Sequence, residues 1–367
     1  MLAVGTPSRD GAIDLTAIRN LAWDIGTWIK TRDRFLAIVV KSTVVPGTTD
    51  TVIRGEIEAA SGKCLGEFGL AMNPEFLREG QAVADFMAPD RIVLGHDDAK
   101  SLALLEQLYA SWECDKLRTN SRTAELIKYA SNAMLAVQIS AANEIANLAA
   151  ALGGIDAMEV MKGVHLDRRW NPIVDGKRVA PGILSYLLPG PGFGGSCLPK
   201  DLEALAAAGH SRGLPMAMTE AALAVNRTQP EQVVQMLERA VGSLADQRVL
   251  ILGLAFKPGT DDVRDSPSIR IVALLLGKGA RVRVHDPLAG ENFRRALGGK
   301  AAEVALAEDW RAAASEAAIV VIATKWPEYR ALGDLDLAGK TVFDARRMFG
   351  PRGLRGARYL ATGRESK

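Results

Sequence analysis

Short apolar runs alternate with amphipathic stretches along the first part of this 367-residue chain. Residues Phe35 to Lys41 form a β-branched run, and further short strands are predicted at Leu70 to Met72 and at Arg91 to Leu94. Helical patterns lie between them, from Asp14 to about Lys30 and from Thr48 to Ala60. This alternation is typical of parallel βα units, so we predict an α/β fold.

The pattern changes at Ser121, where a helical pattern with almost no breakers continues to Ala151. A second long helical pattern ends near Val241, and Pro230 is expected to kink or restart it. From Arg248 onward, buried strands and helices alternate again. We predict two doubly wound parallel-sheet domains, the first incomplete, joined by a helical middle region with a long central helix. The predicted boundaries are 1–115, 116–241 and 242–367.

Composition and charge argue against nucleic-acid-binding, membrane, disulfide-rich and metal-binding classes of protein. A formal net charge of +2 with interspersed acids and bases provides no field that would gather nucleic acid or an acidic membrane. No stretch reaches the roughly 18 apolar residues that a membrane span needs. The three cysteines, Cys64, Cys114 and Cys197, are widely separated and odd in number, which favours a reducing, cytoplasmic compartment over a disulfide framework. The four histidines have no ligand spacing, so no metal site is predicted.

A glycine-rich loop provides the main candidate for chemistry. Residues Pro189 to Asp201 read Pro-Gly-Pro-Gly-Phe-Gly-Gly-Ser-Cys-Leu-Pro-Lys-Asp. The glycines let the backbone adopt positive φ and approach a ligand closely, and Cys197 follows where the loop becomes a helix. A thiol so placed is a candidate nucleophile. Because such a cysteine is more often a buried small residue, spacing alone leaves both interpretations open.

Polar segments also follow two predicted strands, at Lys41 to Val44 and at Asn73 to Gly80. Open α/β sheets bind ligands at the carboxyl ends of their strands, so these positions favour function. On the long helix, Lys128 and Asn132 are four residues apart and project from one side. A solvated surface also carries such acids and polar pairs, so both explanations stay open here.

Several strings together resemble the UDP-glucose/GDP-mannose dehydrogenase family, whose members oxidise a sugar-nucleotide alcohol to a carboxylate. The amino-terminal and central strings are Asn-Pro-Glu-Phe-Leu-Arg-Glu-Gly, Glu-Leu-Ile-Lys-Tyr-Ala-Ser-Asn-Ala, Asp-Arg-Arg and Gly-Phe-Gly-Gly-Ser-Cys-Leu-Pro-Lys-Asp. The carboxyl-terminal strings are Gly-Leu-Ala-Phe-Lys, Asp-Asp-Val-Arg-Asp-Ser-Pro-Ser and Phe-Asp-Ala-Arg-Arg. The resemblance implies two Rossmann-like domains, NAD as cofactor, a UDP-sugar substrate and a homodimer. It favours oxidation of UDP-glucose to UDP-glucuronate. The alternatives are oxidation of GDP-mannose, or a chain that binds a sugar nucleotide or dimerises without catalysis.

The resemblance also implies roles for individual residues. Cys197 would trap an aldehyde as a thiohemiacetal, which is then oxidised to a thioester. Lys128 and Asn132 would stabilise negative charge on the substrate oxygen, while Asp201 would position water and Glu75 would act as base in hydrolysis. The implied substrate-binding residues are Phe76, Leu77, Glu79, Arg169, Tyr186, Gly192, Phe193, Gly194, Phe256, Lys257 and Arg346. The implied cofactor-binding residues are Thr6, Pro7, Thr43, Glu79 and Arg264.

The sequence departs from the family pattern in three places. Trp170-Asn171 stands where Ile-Gly is usual, and Leu188 stands where Lys or Arg is usual. Residues 1–115 contain no Gly-x-Gly-x-x-Gly after a strand, which is the motif that cradles a pyrophosphate in dinucleotide-binding folds. The resemblance begins in the middle of the family's first domain, at the Gly-Thr-Pro-Ser turn. We therefore expect an incomplete NAD-binding domain, a loosened amino-terminal region and no measurable NAD reduction by this chain.

Overall fold

The computed structural model describes residues 1–9, 11–350 and 352–364. The chain divides into two compact units. The amino-terminal unit comprises residues 1–134 and 200–219, and the carboxyl-terminal unit comprises residues 135–199 and 220–367.

The first part of the chain alternates strands and helices. Its elements are β1 (Ser8–Arg9), β2 (Ala12–Ile13), α1 (Thr16–Ile29), β3 (Ala37–Val40), a π-helical segment (Thr48–Ile53), α2 (Arg54–Ser61), β4 (Gly69–Met72), α3 (Ala82–Met87), β5 (Arg91–His96), α4 (Ala99–Leu108) and β6 (Asp115–Thr119).

The middle of the chain is mainly helical. Its elements are α5 (Ser121–Leu152), α6 (Ala157–His165), β7 (Ile173–Val174), β8 (Lys177–Arg178), a 3-10 turn (Gly182–Ser185), α7 (Leu198–His210) and α8 (Ala217–Val241). Helix α8 runs through Pro230 without a restart, so of the two expected effects of this proline the restart is corrected.

The last part returns to alternating strands and helices. Its elements are β9 (Arg248–Leu252), α9 (Pro267–Gly277), β10 (Arg281–His285), α10 (Gly290–Leu297), a 3-10 segment (Gly298–Glu303), β11 (Val304–Leu306), α11 (Trp310–Glu316), β12 (Ile319–Ile322), a second 3-10 segment (Pro327–Asp334), β13 (Thr341–Asp344) and β14 (Arg358–Ala361).

The sheet of the amino-terminal unit has the order β3-β4-β5-β6. Leu2 adds a parallel bridge to Val40, donating its N–H to the Val39 carbonyl at 2.7 Å. Strands β4 and β5 run antiparallel, against the expectation of parallel βα units throughout. A parallel connection needs a helix packed across the sheet, whereas every residue of α3 is at least partly exposed. The chain therefore reverses direction here.

Two helices cover one face of this sheet. The side chains of Ile18 and Ala22 on α1 pack in one apolar core with Ile57 of α2 and are fully buried. Gly26 lets the two helices approach closely, because a Cβ there would lie 2.7 Å from the Ala60 Cβ. Burial of this kind stabilises by roughly 25 cal/mol per Å² of apolar surface, so the helices hold the strands in place.

The sheet of the carboxyl-terminal unit has six parallel strands in the order β11-β10-β9-β12-β13-β14. Strand order reverses between β9 and β12, and ligands of doubly wound sheets bind at the carboxyl end of such a switch. Helix α9 begins as its sequence predicts: the Ser266 side chain accepts the Ser268 N–H and Pro267 occupies the first turn. The predicted α/β fold with a helical middle region and a long central helix is confirmed.

Among the described residues, one helix is long and apolar enough to cross a membrane. Helix α5 contains an 18-residue window of mean hydropathy 1.2, of which 33% is buried. The same helix buries the charged side chains of Glu125 and Lys128. Charged groups are costly in hydrocarbon and need partners when buried, so we interpret α5 as the core helix of a folded domain.

Glu125 connects α5 to the beginning of the helical segment at Thr48. Its carboxylate accepts the Gly47 N–H at 2.6 Å and the Thr49 N–H at 2.8 Å, two donors that a helix start leaves without an internal partner. The side chain is fully buried, and burial raises the pKa of Glu125 to about 7, although the two N–H groups oppose that rise.

We expect Glu125 to make the free energy of unfolding decrease between pH 5 and pH 8. Its folded pKa of about 7 lies above the ordinary value of 4.5, so the stability it contributes is present at the lower pH and is lost as pH rises through the folded pKa. Denaturant unfolding at several pH values should show this decrease for the parent and a flatter profile for Glu125→Gln. Glu144→Gln, at an exposed position of α5, is the matched control and should follow the parent. Parallel profiles for parent and Glu125→Gln would contradict the assignment.

Candidate functional site

In the amino-terminal unit, helix α5 and the segment after β4 bring two predicted catalytic residues together. The Lys128 ammonium lies 3.0 Å from Glu75 Oε1, and the Leu77 N–H donates to Glu75 Oε2 at 2.6 Å. The side chain of Lys128 is 5% exposed and that of Glu75 is 30% exposed. The Lys128 Nζ also lies 5.4 Å from the centroid of the Phe76 ring, whose other cationic neighbour is Arg91 at 4.1 Å. A buried ammonium with a fixed carboxylate suits stabilisation of a developing oxyanion.

One helical turn along α5, Asn132 contacts the first turn of α7. Its Nδ2 donates to Asp201 Oδ2 at 2.6 Å, and the Lys200 ammonium lies 2.8 Å from Asp201 Oδ1. Asp201 is 2% exposed, so these two partners replace the water that an exposed carboxylate would contact. Two predicted catalytic residues are thus joined by one partly buried hydrogen bond.

In the same unit, a hydrogen-bonded network ties the residues that follow β3 and β4 to strand β5 and to the end of α4. The Lys41 ammonium donates to Asn73 Oδ1 at 2.9 Å, the Tyr109 hydroxyl donates to the same oxygen at 2.6 Å, and Asn73 Nδ2 donates to the Val93 carbonyl at 2.8 Å. Burial lowers the pKa of Lys41, and the nearby Lys128 ammonium lowers it further, while the Glu75 carboxylate opposes both. The network fixes the backbone from which Glu75 projects.

The predicted cofactor residues of this unit lie on adjacent chain segments. Thr6 Oγ1 donates to the Thr43 carbonyl at 2.9 Å, and the Pro7 carbonyl accepts the Asp14 N–H at 2.8 Å. A Cβ on Gly5 would meet no atom within 4 Å, so space is open beside Thr6. Because this space adjoins the carboxyl end of β3, the residues fit a dinucleotide. Arg264 belongs to the other unit, where its guanidinium lies 2.8 Å from Asp262 Oδ2.

In the carboxyl-terminal unit, the glycine loop of residues 190–195 is buried and Cys197 is exposed. Gly192 has a φ of +107°, which favours glycine. Gly194 lies against residue 265, because a Cβ there would come within 2.3 Å of the Asp265 carbonyl oxygen. Ser196 Oγ lies 3.6 Å from Cys197 Sγ, directly before α7 begins. The loop therefore presents its thiol at an exposed end of a fixed backbone.

Three further predicted substrate residues lie at the carboxyl edge of the six-stranded sheet. The Arg346 guanidinium donates to the Phe256 carbonyl at 3.1 Å and to the Ala323 carbonyl at 2.7 Å. Burial lowers the pKa of Arg346 to about 10. Lys257 Nζ lies 5.6 Å from the centroid of the Phe256 ring, and that ring lies against Gly195. Two cations, an aromatic ring and part of the glycine loop are thereby assembled at the switch point.

The remaining predicted substrate-binding residues in this group are exposed or partly exposed. Arg169 is 85% exposed and pairs with Asp167 at 2.6 Å, which holds the pKa of Asp167 at about 2. Tyr186 and Leu77 are exposed, at 47% and 39%. Glu79 is partly exposed and follows the Arg78–Asp85 ion pair of 2.6 Å.

Several polar residues that hold these groups were not predicted as functional. They are Glu125, Asn143 and Asn226, with Arg91 beside Phe76 and Tyr109 under Asn73. A polar residue in an apolar helical stretch, as at Asn143, is the signal that could have found some of them.

Comparison with known proteins covers all three parts of the chain. Models of the UDP-glucose/GDP-mannose dehydrogenase family match residues 1–113 (NAD binding domain), 122–228 (central domain) and 250–351 (UDP binding domain). The match to residues 1–113 does not support the expectation of an incomplete NAD-binding domain.

Individual relatives agree with the family models. The chain is 40% identical to the UDP-glucose 6-dehydrogenase AglM of Haloferax volcanii over 356 residues, covering 95% of this chain and 79% of that protein. It is 34% identical to the GDP-mannose 6-dehydrogenase of Azotobacter vinelandii, covering 94% and 78%. A solved UDP-glucose dehydrogenase from Pyrobaculum islandicum superposes with a TM-score of 0.86 at 42% identity, covering 98% of this chain and 78% of that one.

The matched models, the fold and the assembled polar residues agree. The chain belongs to the UDP-glucose/GDP-mannose dehydrogenase family and is an NAD-dependent oxidoreductase.

Proposed function

We propose that this chain oxidises UDP-glucose to UDP-glucuronate, with Cys197 as the nucleophile. The observation that carries the proposal is an exposed thiol at the end of a buried glycine loop. Further support comes from the arginine and lysine at the switch point of the second sheet and from relatives named UDP-glucose 6-dehydrogenase.

Taking a primary alcohol to a carboxylate removes two hydrides from one carbon. Loss of the first hydride and the hydroxyl proton gives an aldehyde; the Cys197 sulfur then bonds to its carbon, and the thiol proton goes to its oxygen. A second hydride and the remaining hydroxyl proton leave this thiohemiacetal, which becomes a thioester. Water then attacks the carbonyl carbon, the carbon–sulfur bond breaks, and the thiol is restored. The covalent bond keeps the aldehyde from diffusing away.

The amino-terminal unit supplies groups for these proton and charge changes. The Lys128 ammonium and the Asn132 amide are donors that would stabilise the oxyanion formed at each stage. Glu75 already shares a short contact with Lys128 and would accept a proton from the attacking water. Asp201 would orient Asn132 and the water.

We propose that NAD, which accepts a hydride when bound, is held by Thr6, Pro7, Thr43, Glu79 and Arg264. Residues 1–113 carry no Gly-x-Gly-x-x-Gly motif, so we propose that NAD binds weakly and that assays need saturating cofactor. We also propose that the enzyme works in the cytoplasm without membrane or nucleic-acid partners, since its three cysteines are free thiols.

We propose a homodimer. Helix α5 exposes a row of large apolar side chains at helical spacing: Met134 (62%), Ile145 (42%), Leu148 (58%) and Leu152 (66%). A second copy of this chain would cover such a row, as the resemblance implies.

Replacing Cys197 by serine should abolish UDP-glucuronate release, because a serine hydroxyl at neutral pH is a much weaker nucleophile toward the aldehyde. We expect at least about a hundredfold loss of product formation, measured chromatographically at saturating NAD. Cys64→Ser, at another exposed thiol, is the matched control and should keep the parent rate. Release of UDP-glucuronate by Cys197→Ser at the parent rate would exclude the thioester route.

The nucleotide preference can be measured without turnover. Relatives named UDP-glucose 6-dehydrogenase are 40% and 36% identical to this chain and the GDP-mannose relative is 34% identical, so we expect calorimetric titration to give tighter binding of UDP-glucose than of GDP-mannose. Tighter binding of GDP-mannose would contradict this assignment and would favour GDP-mannose as the substrate.

A further inference from the structure

The glycine loop is fastened at three points inside the carboxyl-terminal unit. The Gly190 N–H donates to Asn143 Oδ1 at 2.9 Å, and the Gly195 N–H donates to the Arg264 carbonyl at 2.8 Å. Between them, the Phe193 N–H donates to Asn226 Oδ1 at 2.7 Å, while Asn226 Nδ2 donates to the Phe193 carbonyl at 3.0 Å. Two asparagine side chains therefore make three of these four hydrogen bonds.

Helix α8 is adapted to hold the loop on its surface. A Cβ at Gly192 would lie 2.8 Å from Asn226 Oδ1 and 3.4 Å from the Asn226 carbonyl oxygen, so the loop touches this turn of the helix. That carbonyl cannot receive the usual hydrogen bond from the residue four positions on, because residue 230 is proline. The helix turn and the loop thus approach each other without a side chain between them.

Burial of the Asn143 amide would be unfavourable if this side chain served only to pack the fold. It is 1% exposed and lies in the middle of an apolar stretch of α5. A buried amide costs free energy unless it is hydrogen-bonded, and an apolar side chain at such a position would pack without that cost. The bond that Asn143 makes is to the first glycine of the loop.

The fastened segment ends just before the thiol. Residues 190–195 are buried, Ser196 is half-buried, and Cys197 is the first exposed residue. Only Ser196 separates the last fastened residue, Gly195, from the thiol, so a shift of the loop backbone shifts the sulfur by a similar distance. A displacement of about 1 Å can slow a reaction between positioned groups by about a hundredfold.

We propose that Asn143 and Asn226 are positioning residues for Cys197: they fix the glycine loop so that the thiol meets the oxidised carbon of the bound sugar. This inference rests on the proposed role of Cys197. The asparagines act through the loop backbone and are not assigned a contact with substrate.

The test measures how well saturating UDP-glucose protects Cys197 from alkylation by iodoacetamide, which requires no turnover. Cys64 is exposed and serves as the internal reference in each sample, with both peptides quantified by mass spectrometry. The variants are Asn143→Ala, Asn226→Ala and Asn226→Asp; the last keeps the acceptor for the Phe193 N–H and loses the donor to its carbonyl. Asn147→Ala, one turn further along α5, is the matched control.

We expect UDP-glucose to slow alkylation of Cys197 in the parent and in Asn147→Ala by roughly tenfold, since the bound sugar lies over the positioned thiol. In both alanine variants at 143 and 226 this protection should fall to less than about twofold while calorimetry still detects UDP-glucose binding; Asn226→Asp should lie between. Hydrogen exchange should accelerate in the peptide that contains residues 190–195. If an alanine variant does not fold, Asn226→Asp decides the matter.

Full protection in the alanine variants would overturn the inference, because the thiol would then reach its position without the asparagines. Loss of UDP-glucose binding itself would also overturn it, by assigning the asparagines to the nucleotide site. An unprotected Cys197 in the parent would instead contradict the proposed function, so the two failures are distinguishable.

Discussion

The polar side chains on α5 need hydrogen-bond partners, and this requirement positions the segments that carry the candidate site residues. Glu125 holds the backbone at Gly47 and Thr49, Lys128 pairs with Glu75, and Asn132 holds Asp201. Further along the same helix, Asn143 holds the first residue of the glycine loop. A buried polar group without a partner costs about 1–3 kcal/mol, so each side chain requires its own segment to be in place. Polar side chains of α5 thereby hold three segments within the amino-terminal unit and one segment within the carboxyl-terminal unit.

This arrangement has a chemical consequence. The amino-terminal unit contributes an ammonium and two carboxylates whose partners are fixed, and the carboxyl-terminal unit contributes a thiol on a fixed backbone. Preorganised donors stabilise developing charge without reorganising during the reaction. In the proposed two-step oxidation, the donors and carboxylates would handle charge and protons while the thiol would retain the aldehyde, and these roles require polar groups where apolar packing would serve stability alone.

The sequence predicts the local elements well because their signals are local. Ser266 and Pro267 begin α9, and the alternating Arg-Val-Arg-Val-His stretch from Arg281 to His285 forms β10 with its two valines buried. The antiparallel pairing of β4 with β5 could not be predicted in this way, since it depends on whether α3 packs on the sheet. The continuity of α8 through Pro230 likewise depends on tertiary contacts that outweigh a local penalty.

For the site, motifs identified the residues but not their partners. The Lys128–Glu75 contact joins positions 53 apart, and the Asn132–Asp201 contact joins positions 69 apart, so no spacing rule applies. Asn226 lay in an ordinary helical pattern with nothing to distinguish it from a solvated amide. Only the folded chain brings its two amide atoms to the Phe193 peptide group.

If oxidation passes through a thioester on Cys197, the peptide that contains this residue must carry the acyl group for part of each turnover. The protein would be mixed with UDP-glucose and saturating NAD, quenched in acid at successive times, digested and analysed by mass spectrometry. We expect a UDP-glucuronyl adduct on the Cys197 peptide that rises and then falls as UDP-glucuronate appears, with Cys64 and Cys114 unmodified. Formation of UDP-glucuronate with no adduct on Cys197 at any quench time would contradict the thioester route.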